Sequence, residues 1–377
     1  MKYIDKYFKN ETSNIGFLEL KKGSYIDVNT YKIKDVPLPI LTENLVDDIY
    51  KGNIYEEIQL DKIVEGIIYI LGTDKEFPYK DIYMEILLAY NSNIEEYILY
   101  ENLEYMKKKQ WTQSGIWLRS LLIINPKNID GLFNYGIILE EIGREFINKG
   151  KGKEGENFIK SSTNQFESIL EIDGEYSLAH YKLGFHYKYS ERYVKANLIW
   201  KKFLTLNSNE VLLQEIREEI DRIRDDVYFE LGLTYINYNN FEKALDAFMK
   251  LLPKHKKSWN VNYLIGQSYK GSGEYETAVD YLNNAIELNE KEADLYNELG
   301  VLYFNMNQIA NSLEVFTKGI KKGLEDYRLF FNRGLAYAQL DKYKESLNDI
   351  NKAYEMNPED DTIKEQKSAL ENILWNL

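Results

Sequence analysis

The strings Leu231-Gly232-Leu233-Thr234-Tyr235, Ile265-Gly266-Gln267-Ser268-Tyr269, Leu299-Gly300-Val301-Leu302-Tyr303 and Arg333-Gly334-Leu335-Ala336-Tyr337 follow one another at a spacing of 34 residues. Twelve positions after each glycine stands a small residue: Ala244, Ala278, Ser312 and Ser346. A constant period of this length over Asp225–Pro358 marks helix pairs that stack on their neighbours. It predicts an all-α solenoid. It says how the chain is built and not what the chain binds.

The rest of the chain extends this array. From Gly136 to Gly184, and again from Gly184 to Gly232, the spacing is 48, which is 34 plus 14. Fourteen helical residues are about four turns, or two in each helix of a pair. In the first case both helices are expected to be longer, around a loop at Lys149–Gly155. In the second the added piece is Glu210–Arg224, whose Leu212, Ile216, Ile220 and Ile223 form one stripe. It is expected to run on as one helix, Glu210–Asn237, with a separate short helix as the alternative.

Further upstream, Glu95–Asn128 reads as a unit closed by Pro126. Asp61–Ile94 reads as a degenerate first unit, with helices at Asp61–Leu71 and Lys80–Tyr90 and Ile68 in the glycine position. Thr42–Tyr50 reads as a short helix with Thr42 at its N-cap. Met1–Ile40 does not fit the period. It has Gly16, Gly23, Pro37, Pro39, a β-leaning run Tyr25–Ile33, and seven lysines against five acidic residues. Three readings stand open for it: an irregular cap, an arm lying in the protein's own groove, and a β-hairpin docking site. Asp361–Leu377 reads as a capping helix with Leu370, Ile373 and Leu374 on one face.

Composition narrows the function. Hydrophobic residues make up 44% and charged residues 29% of the 377, as in a folded protein. The net charge is −14, which argues against nucleic acid as the main partner, because binding phosphates needs a basic surface. The absence of cysteine excludes disulfides and thiolate chemistry. Met1–Asn10 lacks the apolar core of a signal peptide, and no apolar run approaches a membrane span. The chain is expected to be cytoplasmic, with no membrane insertion; its oligomeric state stays open.

The repeated pattern resembles the tetratricopeptide repeat family, closest over 177–358. The resemblance implies a right-handed superhelix of antiparallel helix pairs, A and B, with a short irregular N-terminal segment. It places about eight units, starting near 61, 95, 129, 177, 225, 259, 293 and 327. An arm covers 1–60 and a cap 361–377. Gly232, Gly266, Gly300 and Gly334 are then expected where helix B crosses helix A closely. Phe248, Leu282, Phe316 and Ile350 are expected to pack on the following helix A. Ser312, Ser346 and Gly319 depart from the family's alanines, yet each is small.

A search for chemistry returns little. His180 and His186 lie six residues apart, about 240° around a helix, so they share no metal on one face. Gly150-Lys151-Gly152-Lys153 lacks the spacing of a phosphate-binding loop and reads as a helix–helix loop. Gly271-Ser272-Gly273 reads as a turn. Acidic neighbours such as Glu140 and Glu141 arise by chance among 61 acidic residues. No catalytic, cofactor-binding or metal-binding residue is expected, and no cofactor.

In the family, helix A lines the concave face, where peptides bind. Carried onto this chain, that face comprises Tyr181, Lys182, Phe185, Lys188 and Tyr189; then Asp226, Phe229, Leu233 and Asn237; then Asn260, Tyr263, Gln267 and Lys270. Asp294, Asn297, Val301 and Phe304 follow, and last Arg328, Phe331, Asn332 and Leu335. Amides suit a peptide backbone and aromatic rings suit its side chains. The basic residues are scattered, so the family's clamp for a terminal carboxylate is not reproduced. The expected function is a non-enzymatic scaffold or adaptor that binds a peptide or protein segment. A peptide-sensing regulator is the alternative, and an enzyme with a loop-built site is a minor one.

Overall fold

The computed structural model describes residues 3–29, 31–50 and 59–376. The expected segment 1–60 and the expected helix Asp361–Leu377 reach into 1–2, 30, 51–58 and 377, which lie outside that set. The chain divides into two compact units, Met1–Glu218 and Glu219–Leu377.

The first unit opens with α1 (Tyr3–Lys9) and a 3-10 turn at Asn10–Asn14. Strands β1 (Ile15–Leu18), β2 (Ile26–Val28), β3 (Tyr31–Ile33) and β4 (Leu38–Leu41) follow. β1 pairs antiparallel with β4, Phe17 opposite Pro39, and β2 pairs antiparallel with β3, Asp27 opposite Lys32. The helices of the unit are α2 (Thr42–Tyr50), α3 (Leu60–Thr73), α4 (Lys80–Tyr90), α5 (Ile94–Lys107), α6 (Trp111–Ile124), α7 (Ile129–Asn148), α8 (Gly152–Ile172), α9 (Ser177–Tyr189) and α10 (Tyr193–Leu206). The unit boundary falls inside α11 (Glu210–Arg222).

Helix α3 is the centre of this unit. Ten of its fourteen residues are buried. Two glycines admit backbone from either side: a Cβ on Gly66 would meet the Pro39 carbonyl of β4 at 2.1 Å, and one on Gly72 would meet the Ile116 carbonyl of α6 at 2.0 Å. The N-terminal segment is thereby part of the core. Phe8 is wholly buried, and its ring occupies the space a Cβ on Gly115 would need. Asp5 bonds Arg119 at 3.1 Å and Lys75 at 2.9 Å, and Tyr7 shares a 2.7 Å hydrogen bond with Thr112. The β2–β3 hairpin is held to α4 by Asn29 Nδ2, which donates to the Ala89 carbonyl at 2.6 Å. The Thr42 hydroxyl donates to the Asn14 carbonyl at 3.2 Å and ties α2 to the 3-10 turn.

The second unit continues with α12 (Arg224–Asn237), α13 (Phe241–His255), α14 (Trp259–Gly271), α15 (Tyr275–Leu288), α16 (Ala293–Asn305), α17 (Ile309–Lys321), α18 (Tyr327–Ala338), α19 (Tyr343–Met356) and α20 (Asp361–Trp375). Helix does not run unbroken from Glu210 to Asn237: Ile223, at φ −92° and ψ 4°, separates α11 from α12. The separate-helix alternative describes the chain.

Within this unit α12/α13, α14/α15, α16/α17 and α18/α19 are hairpins. Each turn carries one residue with positive φ, seven positions after the repeat glycine: Asn239, Gly273, Asn307 and Asp341. The glycines do what their spacing suggests. A Cβ on Gly232 would lie 2.4 Å from the Phe248 ring, and one on Gly300 would lie 2.3 Å from that of Phe316. The large residue sixteen positions on therefore sits over its own helix A, as well as packing toward the next: Phe248 also joins Val261 and Ile265 of α14. At the end of the unit, Asp360 caps α20 by accepting from the Thr362 and Ile363 amides. Ile363 and Leu370 are its buried face, while Ile373 stays exposed.

Candidate peptide-binding face

In the second unit the expected face is carried by α12, α14, α16 and α18. Side chains link α14, α16 and α18 in sequence. Lys270 of α14 forms an ion pair with Glu298 of α16. Arg328 of α18 reaches Asp294 of α16 at 2.6 Å and is also held by Asp326. Asn332 Nδ2 donates to Asn297 Oδ1 at 2.6 Å, and both side chains are half-buried. Gln267 donates to the Tyr263 hydroxyl at 2.6 Å.

Charge around Tyr263 follows from these neighbours. Burial first, and then the carboxylates of Glu298 and Asp294, push its phenol up to about 12, with Arg328 offsetting part of the effect. The guanidinium of Arg328 is driven further up by its hydrogen bond to Asp326 and stays charged. Asp226 and Asn237 are exposed. Phe229, Phe304 and Phe331 are half-buried, Phe229 lying edge-on to Phe248 with centroids 6.3 Å apart. Asn260 accepts from the Ser258 hydroxyl. Leu233 is exposed at its rim, and Val301 and Leu335 are half-buried.

In the first unit the expected residues lie on α9. Tyr181 and Phe185 meet edge to face at 5.1 Å, and Phe185 meets Trp200 at 5.0 Å. The Tyr181 hydroxyl donates to Glu215 at 3.0 Å. Lys182 donates to Glu140 of α7 at 2.7 Å. Lys188 lies 5.8 Å from the ring centroid of Tyr189, which is 74% exposed.

Glu140 is the residue that sequence reasoning passed over. It is buried, at 6% exposure, and collects Arg144, Lys182 and, at 3.7 Å, His186 Nε2. The other nitrogen of His186 shares a 2.8 Å hydrogen bond with Thr163 of α8. Burial alone would raise the Glu140 carboxyl; the bonds from His186 and Lys182 outweigh it and hold the pKa down at about 2. A positional signal existed. Glu140 is four residues after Gly136 and Lys182 two before Gly184; Lys270 and Glu298 occupy the same two places around Gly266 and Gly300 with the signs exchanged.

The histidines are spent on local structure. His180 Nε2 bonds the Gly174 carbonyl at 2.9 Å and His255 bonds Asp225 at 3.2 Å. Among the described residues no group of three His, Asp or Glu side chains converges as a metal site would. Of Gly150-Lys151-Gly152-Lys153, Gly150 (φ +76°) and Lys151 lie in the α7–α8 turn, and Gly152 and Lys153 open α8. No helix among the described residues is long and apolar enough to cross a membrane.

The profile of the TPR repeat matches residues 266–307, and that of the tetratricopeptide repeat matches 225–252 and 327–360. No curated protein matches the chain. Among solved structures, YrrB, described as a TPR protein with an unusual peptide-binding site, is 20% identical; the match covers 54% of this chain and 97% of that one, with a TM-score of 0.39. A tetratricopeptide repeat protein from Parabacteroides merdae is 19% identical over 73% of this chain and 98% of its own, with a TM-score of 0.34. The repeat glycines, their +16 partners and the profiles matched within 225–360 identify that stretch as tetratricopeptide repeats.

Proposed function

We propose that the protein is a non-enzymatic interaction scaffold, and that in its second unit an extended protein or peptide segment lies along the faces of α12, α14, α16 and α18. The observation that carries this reading is the amide pair Asn297–Asn332. Its internal hydrogen bond orients both side chains and leaves the Asn297 NH2 as a donor group and the Asn332 carbonyl as an acceptor, the two kinds of partner that one peptide group of a ligand requires. Half-buried Phe331, Val301 and Phe304 flank the pair with apolar area. The family's use of helix A for peptide binding supports the same face. On this reading the partner is a protein or peptide, no cofactor takes part, and the chain performs no catalysis.

The test is capture of partners on the purified protein, compared with an Asn297→Ala/Asn332→Ala variant and with Glu314→Ala on the opposite helix α17. A partner kept by the parent and by Glu314→Ala but lost by the double variant supports the face. A partner kept equally by all three contradicts it.

A further inference from the structure

The charged groups on the face of the second unit are not balanced. Its two cations, Lys270 and Arg328, are both committed: Lys270 to Glu298, and Arg328 to Asp294 and Asp326 together. Four carboxylates, counting Asp226, thus stand against two cations. Asp226 is exposed and bonds to no described residue. Only one oxygen of Asp294 is taken by Arg328, and half of that side chain is open to solvent. A ligand carboxylate placed here would have to break an existing ion pair to find a cation. A ligand ammonium or guanidinium would find carboxylate oxygen already free, at both Asp226 and Asp294.

We infer that the segment bound by this face is cationic: an extended peptide carrying Lys or Arg beside apolar residues, with its positive groups at Asp226 and at the outer oxygen of Asp294. The inference rests on the scaffold reading above and names its partner class. It also explains why the family's capture of a terminal carboxylate has no counterpart here. The cations suited to that task are tied down by neighbouring repeats. The net charge of −14 adds a long-range field of the same sign, which steers cationic segments toward the protein and is weakened by salt.

The experiment is selection from a library of short randomised peptides displayed against the full chain, followed by binding of the selected peptides to variants at low and high salt. The expected result is enrichment of Lys and Arg over Asp and Glu. Affinity should fall about tenfold in Asp226→Lys, an exposed site where the fold is not at stake, and should fall with added salt. Selected peptides that are acidic or neutral, or that bind Asp226→Lys as well as the parent, overturn the inference. The Asn297→Ala/Asn332→Ala variant separates the two levels. Peptides lost on that variant but not cationic leave the face standing and remove only its charge preference. Peptides that bind the variant unchanged, or a library that yields no binder, remove both.

Discussion

The Ser162 hydroxyl donates a 2.7 Å hydrogen bond to the Gly136 carbonyl, 26 residues upstream; Ser312 makes the same bond to Gly300 across 12 residues, at 2.8 Å. The difference is the 14-residue excess of this repeat. The turn residue shows how it is divided. Gly150 follows Gly136 by 14, whereas Asn307 follows Gly300 by 7, so each helix of the α7/α8 pair gains seven residues. Seven residues are within about 20° of two full turns, so every buried face stays in phase while the hairpin grows by about 10 Å. The added turns carry a further glycine contact, Gly143 against Gly155, one heptad beyond Gly136. They also carry Phe146 and Phe158, stacked at 5.3 Å, on which Tyr7 rests edge-on at 5.9 and 5.0 Å. The lengthened repeat is the seat of α1.

Phe158→Ala should therefore cost about 3–5 kcal/mol in unfolding free energy, since it empties a fully buried aromatic site. It should also loosen α1, so that limited proteolysis cuts first before Asn10. Urea unfolding and mapping of the first cleavage check both parts. An N-terminus as protected as in the parent would contradict the role assigned to the added turns.

Glu140 predicts a pH dependence. Its folded pKa, about 2, lies below the unfolded value of about 4.3, so its stabilisation is complete above that value and is lost as pH falls toward 2. Glu140→Gln should be less stable than the parent by about 2 kcal/mol at pH 7, and the gap should close near pH 2. Denaturant unfolding at both pH values measures it; a gap that persists in acid would assign the loss to packing instead.

Two serines in the same repeat position should respond differently. Ser312 bonds the Gly300 carbonyl, whereas the buried Ser346 hydroxyl has no hydrogen-bond partner among the described residues. Ser312→Ala should cost about 1 kcal/mol, and Ser346→Ala should be neutral or stabilising. Gly300→Leu, which drives a side chain into the Phe316 ring, should cost about 1–3 kcal/mol. Melting temperatures of the three variants decide.

The second unit was legible because its repeats obey one period, and glycine at a close crossing leaves a sequence mark. Even there, partners within the face were not. That Asn297 pairs with Asn332, or Lys270 with Glu298, follows from how far each helix is shifted along its neighbour. In the first unit the Tyr25–Ile33 run gave the β2–β3 hairpin, but the enclosure of α3 left no periodic trace. Gly66 and Gly72 are set six apart to receive backbone from two different elements, Pro39 and Ile116, which no single helical face encodes. The Asp5–Arg119 pair spans 114 residues and reports tertiary packing alone.

The central claim is that helix A of each repeat in the second unit holds the ligand. Amide hydrogen exchange of the protein, with and without a selected peptide, tests it most directly. Slower exchange is expected in α12, α14, α16 and α18 on binding, with α13, α15, α17 and α19 little changed. Protection confined to α15, α17 and α19, with α16 and α18 exchanging as before, would contradict it.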